Sequence, residues 1–220
     1  MTASMKSLIA LSFSMNNNKI MKLLIKIFIF NTLFINLNIS ADEISKFYKA
    51  HWNLSDQAIS ALKKREILSD AQVETIGDKQ IFTMQGAALH NKNCSTVLRK
   101  LSRLEEYQNW IGFIKSSKYS EKNNLFTVRA DHTLLPYPMI VYIFVKRPTK
   151  EGKYPFVFPS GIFTGLKGDF IIKELNGRCG LYVHSYWKGN KTNIPGVVIE
   201  LFSETLARIG GEVLMRKSQI

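Results

Sequence analysis

The chain closes with the stretch PGVVIELFSETLARIGGEVLM, residues 195–215, and this stretch decides the fold. Apolar residues recur here at the three-and-four spacing of one helical face. They are Ile194, Val198, Leu201, Phe202, Leu206 (weakly in phase), Ile209 and Val213, and the opposite side carries Glu200, Glu204, Arg208, Glu212 and Arg216. Pro195 suits a first helical turn, where its missing N–H costs no hydrogen bond. The pattern predicts a long C-terminal helix with one buried side.

The sequence before this helix is typical of β structure. Alternating and apolar runs predict six strands: Phe113–Tyr119, Leu125–Leu134, Met139–Lys146, Phe156–Phe163, Asp169–Leu175 and Cys179–Trp187. A strand–turn–strand pattern surrounds Gly77-Asp78, and a helical face runs from Val97 to Ile111. An antiparallel sheet of this kind must bury one face, and the helices, chiefly the last, are the elements that can cover it.

This order of elements is similar to that of the START-like (SRPBCC, helix-grip) superfamily, which includes polyketide cyclases and lipid-binding START-type domains. The local sequence carries the resemblance in three places. Residues 104–110, LEEYQNW, resemble a helix that ends in an aromatic turn, and Pro136-Tyr137-Pro138 resembles the Pro-x-Pro crossing between two strands. Residues 168–187 followed by Asn193-Ile194-Pro195 are similar to the C-terminal third of the family. The resemblance implies an α+β helix-grip fold, with a curved antiparallel sheet of about six or seven strands around a long C-terminal helix.

The start of the chain has the pattern of a secretory signal peptide. Lys22 and Lys26 precede an apolar run from Ile27 to Leu37, and Ser40-Ala41 offers a small-residue cleavage site. Residues 1–41 are therefore expected to be a signal peptide with an N-terminal extension, and the mature protein is expected to be periplasmic or secreted. Met21 is a candidate initiator, and an uncleaved membrane anchor stays open as the alternative. The rest divides into an N-terminal helical segment, residues 42–72, and a START-like domain, residues 73–220.

The charge of the chain is strongly positive, with a formal net charge of +13. The basic residues are scattered, and no aromatic-and-basic nucleic-acid module is visible. We therefore expect no nucleic-acid partner and allow a weak contact with an anionic membrane surface. The chain has two cysteines, Cys94 and Cys179. In an exported protein they could form one disulfide, and two separate buried thiols are the alternative.

The resemblance also implies a cavity for an apolar or amphipathic small molecule or lipid between the last helix and the sheet. Val198, Leu201 and Phe202 are candidates for its apolar wall, with Leu206 and Ile209, while Gly196, Gly210 and Gly211 keep the helix narrow. The Pro/Gly-rich segment 154–166 is a candidate loop over the mouth. Further candidates that could contact a ligand are His132, Tyr142, Arg147, Tyr182, His184 and Trp187.

The sequence contains no recognisable catalytic set. It has no HExxH or CxxC metal-ligand spacing, no Gly-x-Ser-x-Gly elbow and no Gly-rich phosphate loop. We therefore expect no catalytic residues, no metal and no cofactor. The interpretation is an exported protein that binds a hydrophobic ligand or lipid as a carrier. The alternatives are a polyketide-cyclase-like enzyme and a non-catalytic envelope protein that binds a protein partner.

Overall fold

The computed structural model describes residues 43–131, 133, 138–161 and 163–218. Helix α1 occupies residues 43–52. The elements that follow are α2 (Asp56–Lys63), β1 (Leu68–Ile76), β2 (Lys79–His90), α3 (Cys94–Leu101), a 3-10 turn (Leu104–Glu106), α4 (Tyr107–Trp110), β3 (Ile114–Ser120), β4 (Leu125–Ala130), β5 (Met139–Val145), β6 (Gly152–Val157), β7 (Lys167–Leu175), β8 (Arg178–Asn190) and α5 (Gly196–Lys217). The expected signal peptide lies outside the described residues. Within them, no helix combines the length and apolar character needed to cross a membrane.

The eight strands form one antiparallel sheet in the order β1-β2-β8-β7-β6-β5-β4-β3. The expected α+β helix-grip class, with a curved sheet and a long C-terminal helix, is confirmed, although the sheet has more strands than the six or seven expected. The sequence interpretation treated residues 42–72 as helical, whereas β1 begins at Leu68. The chain leaves α2 through Arg65, which has a positive φ of 72° and so cannot continue a right-handed helix.

Helix α5 is present as predicted, but its buried side is not the predicted one. Ile199, Gly210 and Met215 are its buried residues, whereas Leu201 is 62% exposed and Val198 44% exposed. Glu200 and Glu204, which the sequence placed on the solvent side, face the edge strand β1. Their carboxylates accept the backbone N–H groups of Val73 and Ala71, at 2.5 and 3.0 Å. Helix α5 therefore closes the sheet edge with carboxylates rather than with its most apolar side.

The helix predicted from Val97 to Ile111 is broken into α3, a 3-10 turn and α4. At the break, the Tyr107 hydroxyl donates to the carbonyl of Leu101 at 2.7 Å, and the Arg147 guanidinium donates to the carbonyl of Ser102. These side chains satisfy carbonyls at the end of α3, where helical N–H partners run out. The break lets Tyr107 and the residues after it turn toward the far end of the sheet.

The strand predicted at Phe156–Phe163 is displaced. Strand β6 spans Gly152–Val157, and residues 158–166 form a loop that contains Pro159 and two glycines at positive φ, Gly161 (97°) and Gly165 (86°). The loop closes through a hydrogen bond from the N–H of Phe158 to the carbonyl of Leu166. Glycine adopts this left-handed backbone without strain, so these two positions suit a loop rather than the predicted strand.

The N-terminal helices form a layer on the face of the sheet opposite α5, which we call the outer face. One buried cluster joins α1 and α2 to this face: Ile44, Phe47, Tyr48, Ile59, Leu62, Ala87, Leu89, Leu175 and Tyr182. The Tyr48 hydroxyl donates to the carbonyl of Ala88 at 2.6 Å. The sheet is thus covered by helices on parts of both faces, and residues 44–220 form one compact unit.

Two links tie the ends of elements to this framework. Cys94, at the start of α3, and Cys179, at the start of β8, form a disulfide with a Cα–Cα distance of 4.6 Å, so the structure has the disulfide rather than two separate thiols. His90, at the end of β2, is fully buried. Its Nδ1 accepts the N–H of Lys92 at 2.9 Å, and its Nε2 lies 3.3 Å from the carbonyl oxygen of Met215 in α5. The neutral ring with its proton on Nε2 satisfies both contacts.

Removing either carboxylate that binds β1 is expected to weaken the fold. Glu200→Ala or Glu204→Ala leaves one N–H of the edge strand without its partner, so each should lower the free energy of unfolding by about 1 to 3 kcal/mol. Glu212→Ala is the matched control, because Glu212 is exposed on the same helix. Urea denaturation of the three variants measures the difference. Equal stabilities in all three would contradict the role of the carboxylates.

His90 is expected to make stability depend on pH. Burial lowers the pKa of His90 below its usual value, so the unfolded chain binds a proton there at a higher pH than the folded chain. The free energy of unfolding should therefore fall as the pH drops below about 6.5, by up to about 1.4 kcal/mol per pH unit while the folded ring stays neutral. The loss should be smaller in His90→Gln. Because that variant keeps His51, whose pKa is also lowered by burial, the difference isolates His90. Parallel losses in the two proteins would show that His90 contributes nothing to this dependence.

Candidate ligand-binding site

A cavity of about 370 Å³ lies between the C-terminal half of α5 and the sheet. Its walls come from α5, from the central strands β2, β7 and β8, and from the segments that flank β1, α3 and α4. The lining residues are Ile67, Leu68, Gly86, Ala87, Ala88, Leu101, Tyr107, Ile111, Phe113, Pro148, Phe170, Leu181, Tyr182, Val183, Leu206, Ala207, Gly210, Gly211, Leu214 and Met215. A cavity thus lies between the last helix and the sheet, as expected for a ligand site.

The α5 wall is open because its residues are small. Ala207, Gly210 and Gly211 follow one another on the side that faces the cavity. A Cβ atom added at Gly210 would meet only the ends of Phe113 and Ile111, at 3.8 and 4.0 Å, which is ordinary contact distance. Gly210 therefore leaves unfilled space beside these two side chains, although a helix interior pays for glycine with about 0.5 to 1 kcal/mol relative to alanine.

The sheet wall is packed more closely than the α5 wall. Gly86 and Ala88 of β2 face the cavity, Ala87 between them packs on the outer face, and Phe170, Leu181 and Val183 stand beside them on β7 and β8. A Cβ atom at Gly86 would lie only 3.0 Å from Cγ1 of Val183. The small residues of β2 thus make room for the side chains of β8, and together they form a smooth apolar floor.

One border of the cavity is formed by Tyr107, Ile111, Phe113 and Pro148. The Tyr107 hydroxyl is engaged by the carbonyl of Leu101, and burial raises the pKa of Tyr107 above its usual value. This hydroxyl therefore stays protonated and already has an acceptor. The residue before Pro148, Arg147, pairs with the carboxylates of Glu105 and Glu121 and packs over the Tyr119 ring, with its guanidinium carbon 4.4 Å from the ring centroid.

The chemistry of the lining is almost entirely hydrocarbon. None of the lining residues carries a charge, and Tyr107 and Tyr182 are the two that can ionise. Among the residues described, no group of three or more His, Cys, Asp or Glu side chains could hold a metal ion. The arrangement can bury an apolar molecule, but the lining offers no charged group to one.

The structure describes eight of the nine candidate ligand-binding residues. Among these eight, Tyr182 alone borders the cavity. It does so with its backbone, because Leu181 and Val183 face the cavity and successive strand residues alternate. Its ring lies on the outer face, stacked on His51 with centroids 5.2 Å apart. Its hydroxyl donates toward Gln85 and the carbonyl of His51, at 2.7 and 3.0 Å, and burial raises the pKa of Tyr182.

The other polar and aromatic candidates lie elsewhere. His184 is on the outer face, where its Nε2 is 3.0 Å from a carboxylate oxygen of Asp169. Trp187 is buried in a separate cluster, and its indole N–H donates to the carbonyl of Thr164 in the 158–166 loop. That loop packs on Trp187 and is absent from the described lining, so the structure does not place it over this cavity. Tyr142 is exposed on β5, Arg147 pairs with Glu105, and His132 lies outside the described residues.

The predicted helical wall needs a correction. Val198, Leu201 and Phe202 do not line the cavity, because they lie on the first half of α5, on sides that turn away from it. Leu206, Gly210 and Gly211 do line it, together with Ala207, Leu214 and Met215, which the sequence interpretation missed. The usable signal was the run of small residues on α5, Ala207 with Gly210-Gly211, rather than the strongest apolar stripe.

Comparison with known proteins identifies the fold through structure rather than sequence. No protein-family model matches the sequence, and no curated protein matches it. A START superfamily protein from Mycobacterium smegmatis superposes with a TM-score of 0.51 at 15% identity, covering 62% of this chain and 97% of that one. The chain has the START-like fold. A conserved protein from Geobacillus kaustophilus has a TM-score of 0.50 at 12% identity, covering 61% and 93% of the two chains. At such low sequence identity these comparisons show only the START-like fold, so the function must be argued from the cavity.

Proposed function

We propose that this START-like protein binds a hydrophobic ligand or lipid in the cavity under α5 and acts as its carrier. The observation that carries the proposal is an apolar cavity of about 370 Å³ kept open by the small residues Ala207 and Gly210 of α5. Protein interiors are normally packed without large voids, and an unfilled void lowers stability. A volume in the range of ligand pockets, retained at this cost, favours a binding role.

The lining supports binding more than catalysis. General acid–base chemistry needs a group that can give or take a proton at the reacting atom. The Tyr107 hydroxyl is already engaged by Leu101, and the Tyr182 ring lies on the outer face. An oxygen-rich substrate of the polyketide type would also leave its polar groups without partners against this lining, which costs free energy for each group. A carrier needs neither a proton donor nor such partners.

We also propose that the protein is exported and works in the periplasm or outside the cell. The support is the leader pattern of residues 1–41 together with the Cys94–Cys179 disulfide. Disulfides persist in oxidising compartments and are rare where thiols are kept reduced. An exported carrier also has access to membrane lipids, which suits an apolar cavity.

Filling the cavity is expected to abolish ligand binding without unfolding the protein. Ala207→Phe combined with Gly210→Leu places two large side chains in open space, so a fluorescent fatty acid should bind at least tenfold more weakly. Val197→Phe is the matched control, because Val197 is exposed on α5 outside the cavity. Fluorescence titration of delipidated protein measures binding, and thermal melting checks the fold.

Three results would contradict this proposal. The first is the absence of saturable binding across fatty acids and isoprenoid alcohols, which would favour a protein-binding domain. The second is turnover of a polyketide-like substrate, which would favour the cyclase alternative. The third is equal binding by the filled variant and the Val197→Phe control, which would place any ligand outside the cavity.

The export proposal has its own test. Protein purified from its producing cells should begin near Asp42, and its intact mass should not change on alkylation before reduction, because both cysteines are in the disulfide. N-terminal sequencing and mass spectrometry measure these two properties. A chain that keeps residues 22–37 and sediments with membranes would support the uncleaved anchor instead.

A further inference from the structure

The part of the outer face beyond the N-terminal helices exposes large apolar side chains. We define the outer patch as Ile140, Tyr142, Phe144, Val157 and Tyr186, whose exposed fractions range from 37% to 52%. The strand register places Phe144 beside Val157, Val157 beside Lys167, and Lys167 beside Tyr186. Ile140 and Tyr142 precede Phe144 at two-residue steps on β5 and so project from the same face. The patch therefore runs across β5 and β6 and resumes at Tyr186 on β8, with Lys167 of β7 between Val157 and Tyr186.

Cations surround this patch. The register puts Lys118, Arg129, Lys167 and Lys188 on the same face, and Lys146 follows Phe144 by two residues. All five side chains are exposed, and within the described part of the chain none of them forms an ion pair. The acid beside the patch, Asp169, is already bound by Lys153 and His184, at 2.9 and 3.0 Å. The face thus combines exposed apolar side chains with cations around them and, at Lys167, among them.

A groove continues the patch where β5 and β6 separate. These strands pair only through Phe144–Val157 and Val145–Phe156, because the next residue of β6 is Pro155, which has no N–H to donate. The opening has a volume of about 670 Å³, and Lys146, Lys150 and Lys153 line it. Glu151 lines it as well, and the Lys153 ammonium is paired with Asp169, so Lys150 is the cation that the groove adds to Lys146.

We propose that the outer patch and its lysines dock on a bilayer surface that contains anionic lipids. Lysines at such a surface attract anionic headgroups, while tyrosines and apolar side chains enter the boundary between headgroups and hydrocarbon. A second copy of the chain would bring two positive faces together, which charge repulsion opposes. A nucleic acid would stack bases on Tyr142, Phe144 and Tyr186 but would gain little from Ile140 and Val157, whereas a bilayer can bury all five.

The cavity lies on the opposite, inner face of the sheet, and the chain links it to the docking face just after the end of β5. Pro148 borders the cavity, and Lys146, two residues earlier, lines the groove of the docking face. A bilayer in contact with Lys146 would therefore lie within a few residues of one border of the cavity. The inference goes beyond ligand binding and is tested without it, because the cavity-filling variant Ala207→Phe with Gly210→Leu should bind vesicles as the wild type does.

The test is sedimentation of the full chain with vesicles. Wild-type protein should bind vesicles of equimolar phosphatidylcholine and phosphatidylglycerol at least tenfold more tightly than vesicles of phosphatidylcholine alone. Lys146→Glu with Lys167→Glu should weaken binding to the anionic vesicles at least tenfold, and added salt should reduce this difference. Tyr142→Ser with Phe144→Ser should weaken it to a similar extent. Any contribution of the leader is the same in every variant and cancels in the comparison.

Matched controls lie elsewhere on the surface. Lys64→Glu with Lys92→Glu makes the same change of charge away from the patch, and Val197→Ser with Leu201→Ser removes apolar groups from α5 that are even more exposed. Both controls should bind as the wild type does. Equal affinity for the two kinds of vesicle, or equal losses in the patch variants and the controls, would overturn the proposal. Loss of a stoichiometric acidic protein partner in the patch variants, with no vesicle binding by the wild type, would overturn it in favour of a protein interface.

Discussion

The structure depends on how α5 is held against the sheet. Near its start, Glu200 and Glu204 bind backbone N–H groups of the edge strand β1, and near its end, the carbonyl of Met215 meets the buried ring of His90. The two attachments use directional polar contacts, so the helix is fixed at both ends without close packing along its whole length. The segment between them, from Leu206 to Leu214, can therefore span a cavity that a purely apolar contact would tend to close.

The open cavity has a consequence for stability. Small residues at Ala207 and Gly210 give up apolar contacts that larger side chains would make, and each missing contact weakens the core. The disulfide between Cys94 and Cys179 lies in the core cluster that adjoins the cavity, and α1 and α2 cover the opposite face of the same sheet. A disulfide that closes a loop of 85 residues lowers the conformational entropy of the unfolded chain, and this stabilises the folded state by roughly 2 to 4 kcal/mol. The fold can thus keep a void in one layer because the disulfide and the outer layer compensate for it.

Much of the fold, but little of the site, could be predicted from the sequence. The C-terminal helix, the antiparallel strands and the fold class follow from periodicity and element order, which are local signals. The predicted buried side of α5 was wrong. Hydrophobic periodicity identifies the most apolar side of a helix, and the prediction took that side to be the buried one. Here Leu201 stays exposed, while Glu200 and Glu204 turn inward to satisfy an edge strand that the sequence assigned largely to a helical segment. The unpaired N–H groups of an edge strand arise from the tertiary structure, so no local stretch of sequence indicates that these glutamates bind them. The same holds for Tyr182, whose ring lies on the face opposite the cavity.

The two proposed functions meet at the end of β5. This strand carries Phe144 on the outer face and Val145 on the inner face, and the chain then passes through Lys146 and Arg147 to Pro148 at a border of the cavity. Arg147 holds this passage by pairing with Glu105 and by donating to the carbonyl of Ser102, beside the break between α3 and the 3-10 turn. Tyr107, after that turn, forms the adjoining border. A displacement of β5 by a docked bilayer would therefore act on both sides of this border through one guanidinium group. The connection between the docking face and the cavity is short along the chain, because Lys146, Arg147 and Pro148 lead from the end of β5 to the cavity border.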